Sequence, residues 1–407
     1  MVFTSQKTIL QITLIRYDSN NLHIYITHVD NDFSGYIYMK RYYKCIDSKF
    51  NWYNIDFILP IICFSFIFGI RYNVGNDYMS YLDIYEGYAH YYTIRDDLEI
   101  GFEFVTRLMA ETGLHYSIYF GLIAFLQIFL IYYTFRKEGY LFPFLSFMIM
   151  SGAFLGWMSV IRQSLVWCLF VYAIPFIKQR RFIPYMLCVV IGFTLHKTAL
   201  LLIPLYFIFK PGKDFLRNIP LQLTLLFGAL FLSGVSIWNQ YLNNIDVILS
   251  LIGLGDRYSN IDNILAIDEE YVYGPRTWLI FSLNAILILY NKKIKDTFPS
   301  SNISIYYNLY IVGSYINLLL VGNHALQRPF LFFINMNIIV FSYLMVYLWK
   351  YGGKSITHTF IFLLIIVTQL LSLSSTIYLG DQERMKATYF FGGIKFKLLC
   401  NYFQQKI

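Results

Sequence analysis

Residues 182–209 read FIPYMLCVVIGFTLHKTALLLIPLYFIF, an apolar run broken by His196 and Lys197. The run exceeds the ~20 apolar residues that a membrane-spanning helix needs. It is therefore either one long span or two short segments that turn back at His196. This choice determines the side of the membrane on which every later loop lies, and so it decides the fold.

The composition places the chain in a membrane. The 407 residues are 57% hydrophobic and 14% charged, with a mean hydropathy of +0.51. Soluble proteins contain about 25% charged residues. The apolar runs suit helices better than the ~10-residue alternating strands of an outer-membrane barrel. We predict an all-α polytopic membrane protein.

About 11 transmembrane helices (range 10–12) and two long external loops, 71–115 and 239–276, follow from the positions of the apolar runs. Residues 55–380 form the predicted membrane domain, flanked by an N-terminal segment 1–54 and a tail 381–407. No cleavable signal peptide is expected. The spans are predicted near 55–70, 116–135, 140–158, 163–177, 182–195, 198–209, 219–238, 277–291, 302–321, 329–349 and 356–379.

The charges of the connecting loops alternate along the chain. Five loops hold thirteen basic and three acidic residues, and the loops between them hold eight basic and fourteen acidic residues. By the positive-inside rule the first set is cytoplasmic and the second external. One long span over 182–209 would reverse all later loops, so we predict two short segments with His196 at an external turn. Being short for ~30 Å of hydrocarbon, 163–209 is expected to line a cavity rather than lipid.

Three arginines, Arg71, Arg162 and Arg328, lie where an apolar segment meets an external loop. An arginine near hydrocarbon is costly unless it reaches the interface or a polar cavity, so such residues are functional candidates. Three on one face favour a site for an anion, and at a membrane a lipid diphosphate is the expected anion. The alternative is that each arginine anchors a helix end. Arg276, after Gly274-Pro275, is a weaker candidate.

Acidic residues and one histidine accompany these arginines. Asp77 lies six residues beyond the first arginine, Glu99 precedes a predicted helix, and His196 occupies the external turn. Carboxylates and imidazoles are the usual general bases. For Glu103 and Glu111 we favour the simpler interpretation of a solvated acidic loop at a helix N-terminus.

Metal, cofactor and nucleic-acid functions are not expected. The five cysteines are scattered and form no CxxC pair. The only Asp-x-Asp, at Asp30 and Asp32, falls in the poorly organised N-terminal segment, and we interpret it as chance. The net charge of +8 is spread over short loops rather than gathered in a patch. No phosphate-binding loop or nucleic-acid module is present.

The order, spacing and sidedness of these motifs resemble the EpsG family of Wzy-like polymerases of exopolysaccharide and O-antigen repeat units. The resemblance covers roughly residues 55–380. The chain departs from the family at the N-terminus, where the usual first hydrophobic span is missing. A lost or misread terminal segment would explain this difference. The motifs are Arg71…Gly75-x-Asp77-Tyr78…Tyr81, Glu99-x-Gly101-Phe102, Arg162-Gln163, His196-Lys-Thr-Ala and Arg328.

The resemblance implies a metal-independent glycosyltransferase of the cell membrane whose active face is external or periplasmic. Donor and acceptor would be undecaprenyl-diphosphate-linked oligosaccharides, with a chain-length regulator and a flippase as further partners. The diphosphate would be held by Arg71, Arg162, Arg328 and Arg276. Asp77, then Glu99, are the candidates for a base, with His196 as its orienter or as an alternative base. Substrate positioning falls to Gly75, Tyr78, Tyr81 and Gln163.

Three rival functions remain open at this stage. An O-antigen ligase would use the same arginines, and the polymer length distribution in a deletion strain would separate it from a polymerase. A flippase of the lipid-linked unit would need polar residues through the membrane depth and often has internal repeats, whereas here the charges gather on one face. A membrane acyltransferase depends mainly on His196 near Arg162.

Overall fold

The structure is a computed structural model. It describes residues 14–18, 21–25, 55–75, 77–90, 98–210, 214–233, 274–299, 301–320, 327–352, 355–378, 388–391 and 394–397. Apart from a few short strands, these residues form helices, as the sequence predicts. The predicted external loop 239–276 lies outside the described residues up to Gly274, and so do Asp30 and Asp32.

In the described residues most helices follow the apolar runs, and two further helices, Tyr78–His90 and Ile100–Glu111, lie within the predicted external loop 71–115. The α-helices are α1 (Ile55–Ile70), α2 (Tyr78–His90), α3 (Ile100–Glu111), α4 (Tyr116–Thr134), α5 (Phe142–Met148), α6 (Phe154–Ser159), α7 (Ile161–Lys178), α8 (Phe182–Leu195), α9 (Leu205–Ile208), α10 (Ile219–Ser233), α11 (Pro275–Thr297), α12 (Ile303–Leu319), α13 (Leu331–Ile334), α14 (Asn337–Gly352) and α15 (Ile356–Tyr378). Three 3-10 helices (Gly139–Leu141, Lys197–Leu202, Arg328–Phe330) and a π-helix (Ile149–Ala153) join some of them.

Five helical segments in the described part of the chain are long and apolar enough to cross a membrane, which supports a multi-pass protein. They are Tyr116–Thr134, Gly139–Ser159, Ile161–Lys178, Arg328–Lys350 and Ile356–Ser374. Shorter apolar helices occupy four more predicted spans, and α11 and α12 coincide with the remaining two. The total of about 11 crossings stays a prediction.

Helix α7 is one of the two most buried spans. Some 67% of its residues are buried, against 72% for Arg328–Lys350 and 17% for the span in α15. Gln127 on α4 donates to the Ser164 hydroxyl on α7 at 2.9 Å, and the Trp167 indole donates to the Phe332 carbonyl at 3.2 Å. Such bonds satisfy polar groups away from water and fix neighbouring helices. Val160 has a non-helical conformation (φ −111°, ψ 56°) that separates α6 from α7, so α7 begins one residue later.

The chain folds back at His196, which confirms the predicted hairpin. His196 is extended (φ −160°, ψ 125°) and ends α8. The returning segment then runs beside the start of α8: the Tyr185 hydroxyl donates to the Leu202 carbonyl at 2.6 Å, and Arg180 donates to the Tyr206 carbonyl at 3.0 Å. The side of the membrane on which the turn lies stays a prediction.

The expectation that 163–209 as a whole lines a cavity is wrong for α8. One face of this helix carries large exposed apolar side chains, which suit contact with lipid: Ile183 (71%), Leu187 (57%), Val190 (54%) and Ile191 (52%). Burial is concentrated in α7 instead. The sequence could not separate the two helices, because both are apolar on every side.

The strands are short and antiparallel. Strand β1 (Leu14–Asp18) pairs with β2 (Asn21–Tyr25), with Leu14 opposite Tyr25. Strand β3 (Arg71–Tyr72), directly after α1, pairs with β4 (Thr388–Phe391), which pairs with β5 (Ile394–Lys397). Arg71 is opposite Tyr389, so part of the C-terminal tail lies at the same end of the bundle as Arg71.

Acidic residues in the predicted cytoplasmic loops have structural partners. Glu138 accepts hydrogen bonds from the hydroxyls of Tyr140 (2.9 Å) and Tyr343 (2.5 Å). Asp214 pairs with Lys295 at 2.7 Å. These contacts tie the loops to α11 and α14, and so give Glu138 and Asp214 a structural role.

A close approach between two glycines holds α1 against α4. A Cβ added at Gly69 would lie 2.7 Å from the Ser117 carbonyl oxygen and 3.2 Å from the Cα of Gly121. We expect Gly69→Ala to reduce stability by about 1–3 kcal/mol, because two backbones must separate. The melting temperature of the detergent-purified protein measures this loss.

Gly228→Ala on α10 is the matched control, because nothing lies within 4 Å of the added Cβ. Alanine is the better helix former by about 1 kcal/mol, so this variant should melt at the wild-type temperature or above it. Equal melting temperatures for the two variants would contradict the proposed close approach.

Candidate functional site

Arg162 and Glu99 form an ion pair at one end of the bundle. Arg162 lies in the first turn of α7, and its Nη1 donates to Oε2 of Glu99, which directly precedes α3. The two side chains are 15% and 3% exposed. Burial acts to raise the pKa of the Glu99 carboxyl, but the positive charges of Arg162 and then His196 outweigh it and lower the pKa. Glu99 is therefore held as a carboxylate.

Two aromatic rings flank the Arg162 guanidinium. Its central carbon lies 5.8 Å from the centre of the Tyr81 ring and 5.5 Å from that of Phe102. The positive charge of Arg162 also acts on the Tyr81 hydroxyl and opposes the rise in its pKa that burial causes. Rings at this distance stabilise a cation through their negative faces, so the charge is compensated from several sides.

A contact between α3 and α8 brings His196 towards Glu99. A Cβ at Gly101 would lie 2.4 Å from the Thr194 hydroxyl oxygen, so only glycine permits this approach. The His196 Nδ1 accepts from the Thr198 amide (3.3 Å) and lies 2.7 Å from its hydroxyl.

Gln163 connects Arg162 to the segment that contains Arg328. The Gln163 side chain donates to the Arg328 carbonyl at 2.6 Å. The neighbouring Gln327 donates to the Leu320 carbonyl at 3.0 Å, which fixes the same segment to the end of α12. Arg328 itself is exposed. Arg162 and Arg328 thus lie on adjoining segments. Arg162 is largely enclosed, and Arg328 is open to its surroundings.

Arg71 has a different environment, because its side chain is completely buried. Its Nη1 donates to the Met158 carbonyl at 2.7 Å and to the Val74 carbonyl at 3.2 Å. The centres of the Phe68, Phe120 and Tyr78 rings lie 4.1, 5.0 and 5.3 Å from its guanidinium carbon. The prediction that Arg71 binds diphosphate directly stays a prediction, whereas its contacts to the turn before α7 are part of the fold.

Gly75 completes this connection to the turn before α7. It has φ +99°, and an added Cβ would lie 2.7 Å from the Met158 carbonyl oxygen. The predicted close turn is therefore confirmed, and the backbone that it approaches is that of Met158 and Ser159. Arg71 and Gly75 together fix the turn from which Arg162 emerges.

The other predicted site residues lie beside Arg71, beside Arg162 or at the start of a helix. Tyr78 is completely buried beside Arg71, and Tyr81 lies beside Arg162. Asp77 is half-buried at the start of α2, where its carbonyl accepts from the Tyr81 amide at 3.1 Å. The backbone of Arg276 belongs to the first turn of α11, but its side chain lies outside the described residues.

Three contacts of this site were not predicted. Phe102 and Thr194 were missed as neighbours of Arg162 and Gly101, although the Glu99-x-Gly101-Phe102 motif contained the signal of a close helix approach. The Thr198 contact to His196 could have been recognised from the two-residue spacing that serine and threonine turns use. Within the described ranges, no group of three His, Cys, Asp or Glu residues could hold a metal ion.

Comparison with known proteins identifies one family. The model of the EpsG family matches residues 54–389, which is most of the chain. Comparison with curated proteins and with solved structures finds no match. The matched range contains Arg71, Glu99, Arg162, His196 and Arg328.

The turn before α7 can be tested through Gly75. We expect Gly75→Ala to reduce stability by about 2–4 kcal/mol, because it combines the strain of a positive φ with a clash against the Met158 carbonyl. Gly113 is a matched control: it also has positive φ (+69°), but nothing lies within 4 Å of an added Cβ. Gly113→Ala should lose only about 1–2 kcal/mol. If thermal melts in detergent show equal losses, the clash makes no contribution.

Proposed function

The chain belongs to the EpsG family, whose members are membrane proteins linked to exopolysaccharide synthesis, and we propose that it polymerises lipid-linked oligosaccharide repeat units. The donor is a glycan chain on undecaprenyl diphosphate, and the acceptor is a new lipid-linked unit. The reaction takes place on the external face of the cytoplasmic membrane, in the synthesis of exopolysaccharide, capsule or O-antigen.

This reaction needs few chemical groups. A hydroxyl of the acceptor attacks the anomeric carbon of the donor, and undecaprenyl diphosphate leaves. Cations must stabilise the departing diphosphate, and a carboxylate or imidazole must take the hydroxyl proton. Arginine suits the first task, because its guanidinium is always charged and binds phosphate oxygens in pairs.

The observation that carries the proposal is that Arg162 contacts a buried carboxylate while its neighbour Gln163 binds the backbone of Arg328. Two arginines and Glu99 thus belong to adjoining segments at one end of the bundle. Arg162 and Arg328 are the proposed diphosphate ligands. Arg276 is a further proposed ligand at the start of α11.

Glu99 is the preferred base among the acidic candidates. It contacts Arg162 directly and its pKa is lowered by the charge of His196, whereas the charge of Asp77 acts on Tyr81, the ring beside Arg162. His196 acts as its orienter or as an alternative base. A chain-length regulator and a flippase are the proposed protein partners.

The remaining candidates position these groups. Arg71, with Gly75, supports the turn before α7 from inside the protein, which is a positioning role rather than the diphosphate contact expected from sequence. Tyr81 and Gln163 hold Arg162 and the Arg328 segment, and Tyr78 encloses Arg71.

Arginine variants test the function in a deletion strain. We expect Arg162→Ala and Arg328→Ala each to reduce polymer about 100-fold, because each removes charge stabilisation of the leaving group. Single lipid-linked units should accumulate on the external leaflet, measured by glycan gel electrophoresis and lipid extraction. Arg107→Ala is the control, since Arg107 is exposed and pairs with Glu111 four residues away.

Three results would contradict the proposal. Normal polymer in both variants would remove the arginines from the reaction. Units trapped on the cytoplasmic leaflet would indicate a flippase. Finished polymer that is not transferred to its final lipid acceptor would indicate a ligase.

A further inference from the structure

The ion pair engages both groups that the proposed reaction needs. Oε2 of Glu99 is bonded to Arg162, and Oε1 is enclosed without a hydrogen bond from the part of the chain that the structure describes. Arg162 is itself only 15% exposed. In this state neither a diphosphate nor an acceptor hydroxyl has full access to its partner.

We propose that the Glu99–Arg162 ion pair is a partner-exchange switch, in which the diphosphate of the donor draws Arg162 away from Glu99 and thereby frees Glu99 as the base. This inference rests on the proposed function. It adds an order of events: donor binding comes first, and the base becomes available only as its consequence.

Charge favours the exchange. A diphosphate carries at least two negative charges and offers several oxygens to one guanidinium, whereas Glu99 offers a single charge and contacts Arg162 through one oxygen. Arg328 is exposed and its segment adjoins α7 through Gln163, so it can receive the diphosphate before Arg162 does. The first contact is thus made at an open side chain and the second at an enclosed one.

The exchange also changes the strength of Glu99 as a base. While it is paired, Glu99 is a weak base, because Arg162 favours its ionised form. Loss of this partner, together with a nearby dianion, increases its affinity for a proton. The acceptor hydroxyl then gives its proton to Glu99 as its oxygen bonds to the anomeric carbon. The bond from that carbon to the diphosphate oxygen breaks, and its electron pair leaves with the diphosphate, held by Arg162 and Arg328.

A fixed arrangement makes the opposite prediction. If Glu99 only orients Arg162 for the diphosphate, removing its charge should weaken diphosphate binding. If the two anions compete for Arg162, removing the charge of Glu99 should strengthen binding while turnover is lost. The sign of the change in affinity therefore separates the two arrangements.

The experiment measures binding of undecaprenyl diphosphate to the full chain in lipid nanodiscs, with undecaprenol as the baseline for binding of the lipid tail. We expect Glu99→Gln to bind undecaprenyl diphosphate about 10-fold more tightly than the wild type and to make no polymer. Glu99→Asp, which keeps the charge on a shorter side chain, should show a smaller gain, and it serves if the glutamine variant does not fold. Arg162→Ala should lose the difference between diphosphate and undecaprenol.

Glu111→Gln is the matched control. It breaks the exposed pair between Arg107 and Glu111 on α3, in which Nε of Arg107 lies 2.9 Å from Oε1 of Glu111. This variant should change neither diphosphate binding nor the amount of polymer. Unchanged or weaker diphosphate binding in Glu99→Gln, with the wild type binding normally, would overturn the exchange and leave the proposed function standing. A wild type that binds undecaprenyl diphosphate no better than undecaprenol would overturn both.

Discussion

The buried ion pair between Arg162 and Glu99 is the constraint on which the organisation of this end of the bundle depends. A guanidinium at the edge of hydrocarbon must be compensated, and removing one member of a buried pair leaves a charge whose cost is about 3–5 kcal/mol. Because Glu99 precedes α3, this helix must dock where α7 begins. Gly101 permits this packing, because the absence of a side chain lets α3 approach the end of α8, which is followed by His196.

Much of the fold was accessible from the sequence. The helix positions follow from apolar runs that have no other stable environment, and the turn at His196 follows from the alternation of loop charge. The count of crossings stays a prediction, because several helices are too short or too polar to be assigned by composition, as α12 illustrates with its buried tyrosines Tyr306, Tyr307 and Tyr310. Hydrophobicity locates segments, but it does not say which of them face lipid.

The candidate site was accessible only in part, because it depends on contacts between distant segments. The sequence placed Arg71 and Arg162 in similar positions, each at the junction of an apolar helix and an external loop. In the fold one is enclosed by carbonyl groups and aromatic rings, and the other meets a carboxylate. What separates them is the approach of Gly75 to Met158, a contact between residues more than eighty positions apart that no local pattern contains.

The exposed apolar face of α8 has a consequence for the surrounding lipid. The helix has 14 residues, so its length is about 21 Å, well short of ~30 Å of hydrocarbon. Thinning of the bilayer around this face is one way to relieve the hydrophobic mismatch. Because α8 ends next to His196, whose charge acts on Glu99, such thinning would bring the headgroup layer towards the Arg162 ion pair. A diphosphate carried on a lipid tail would then reach the protein without leaving its own layer of the membrane.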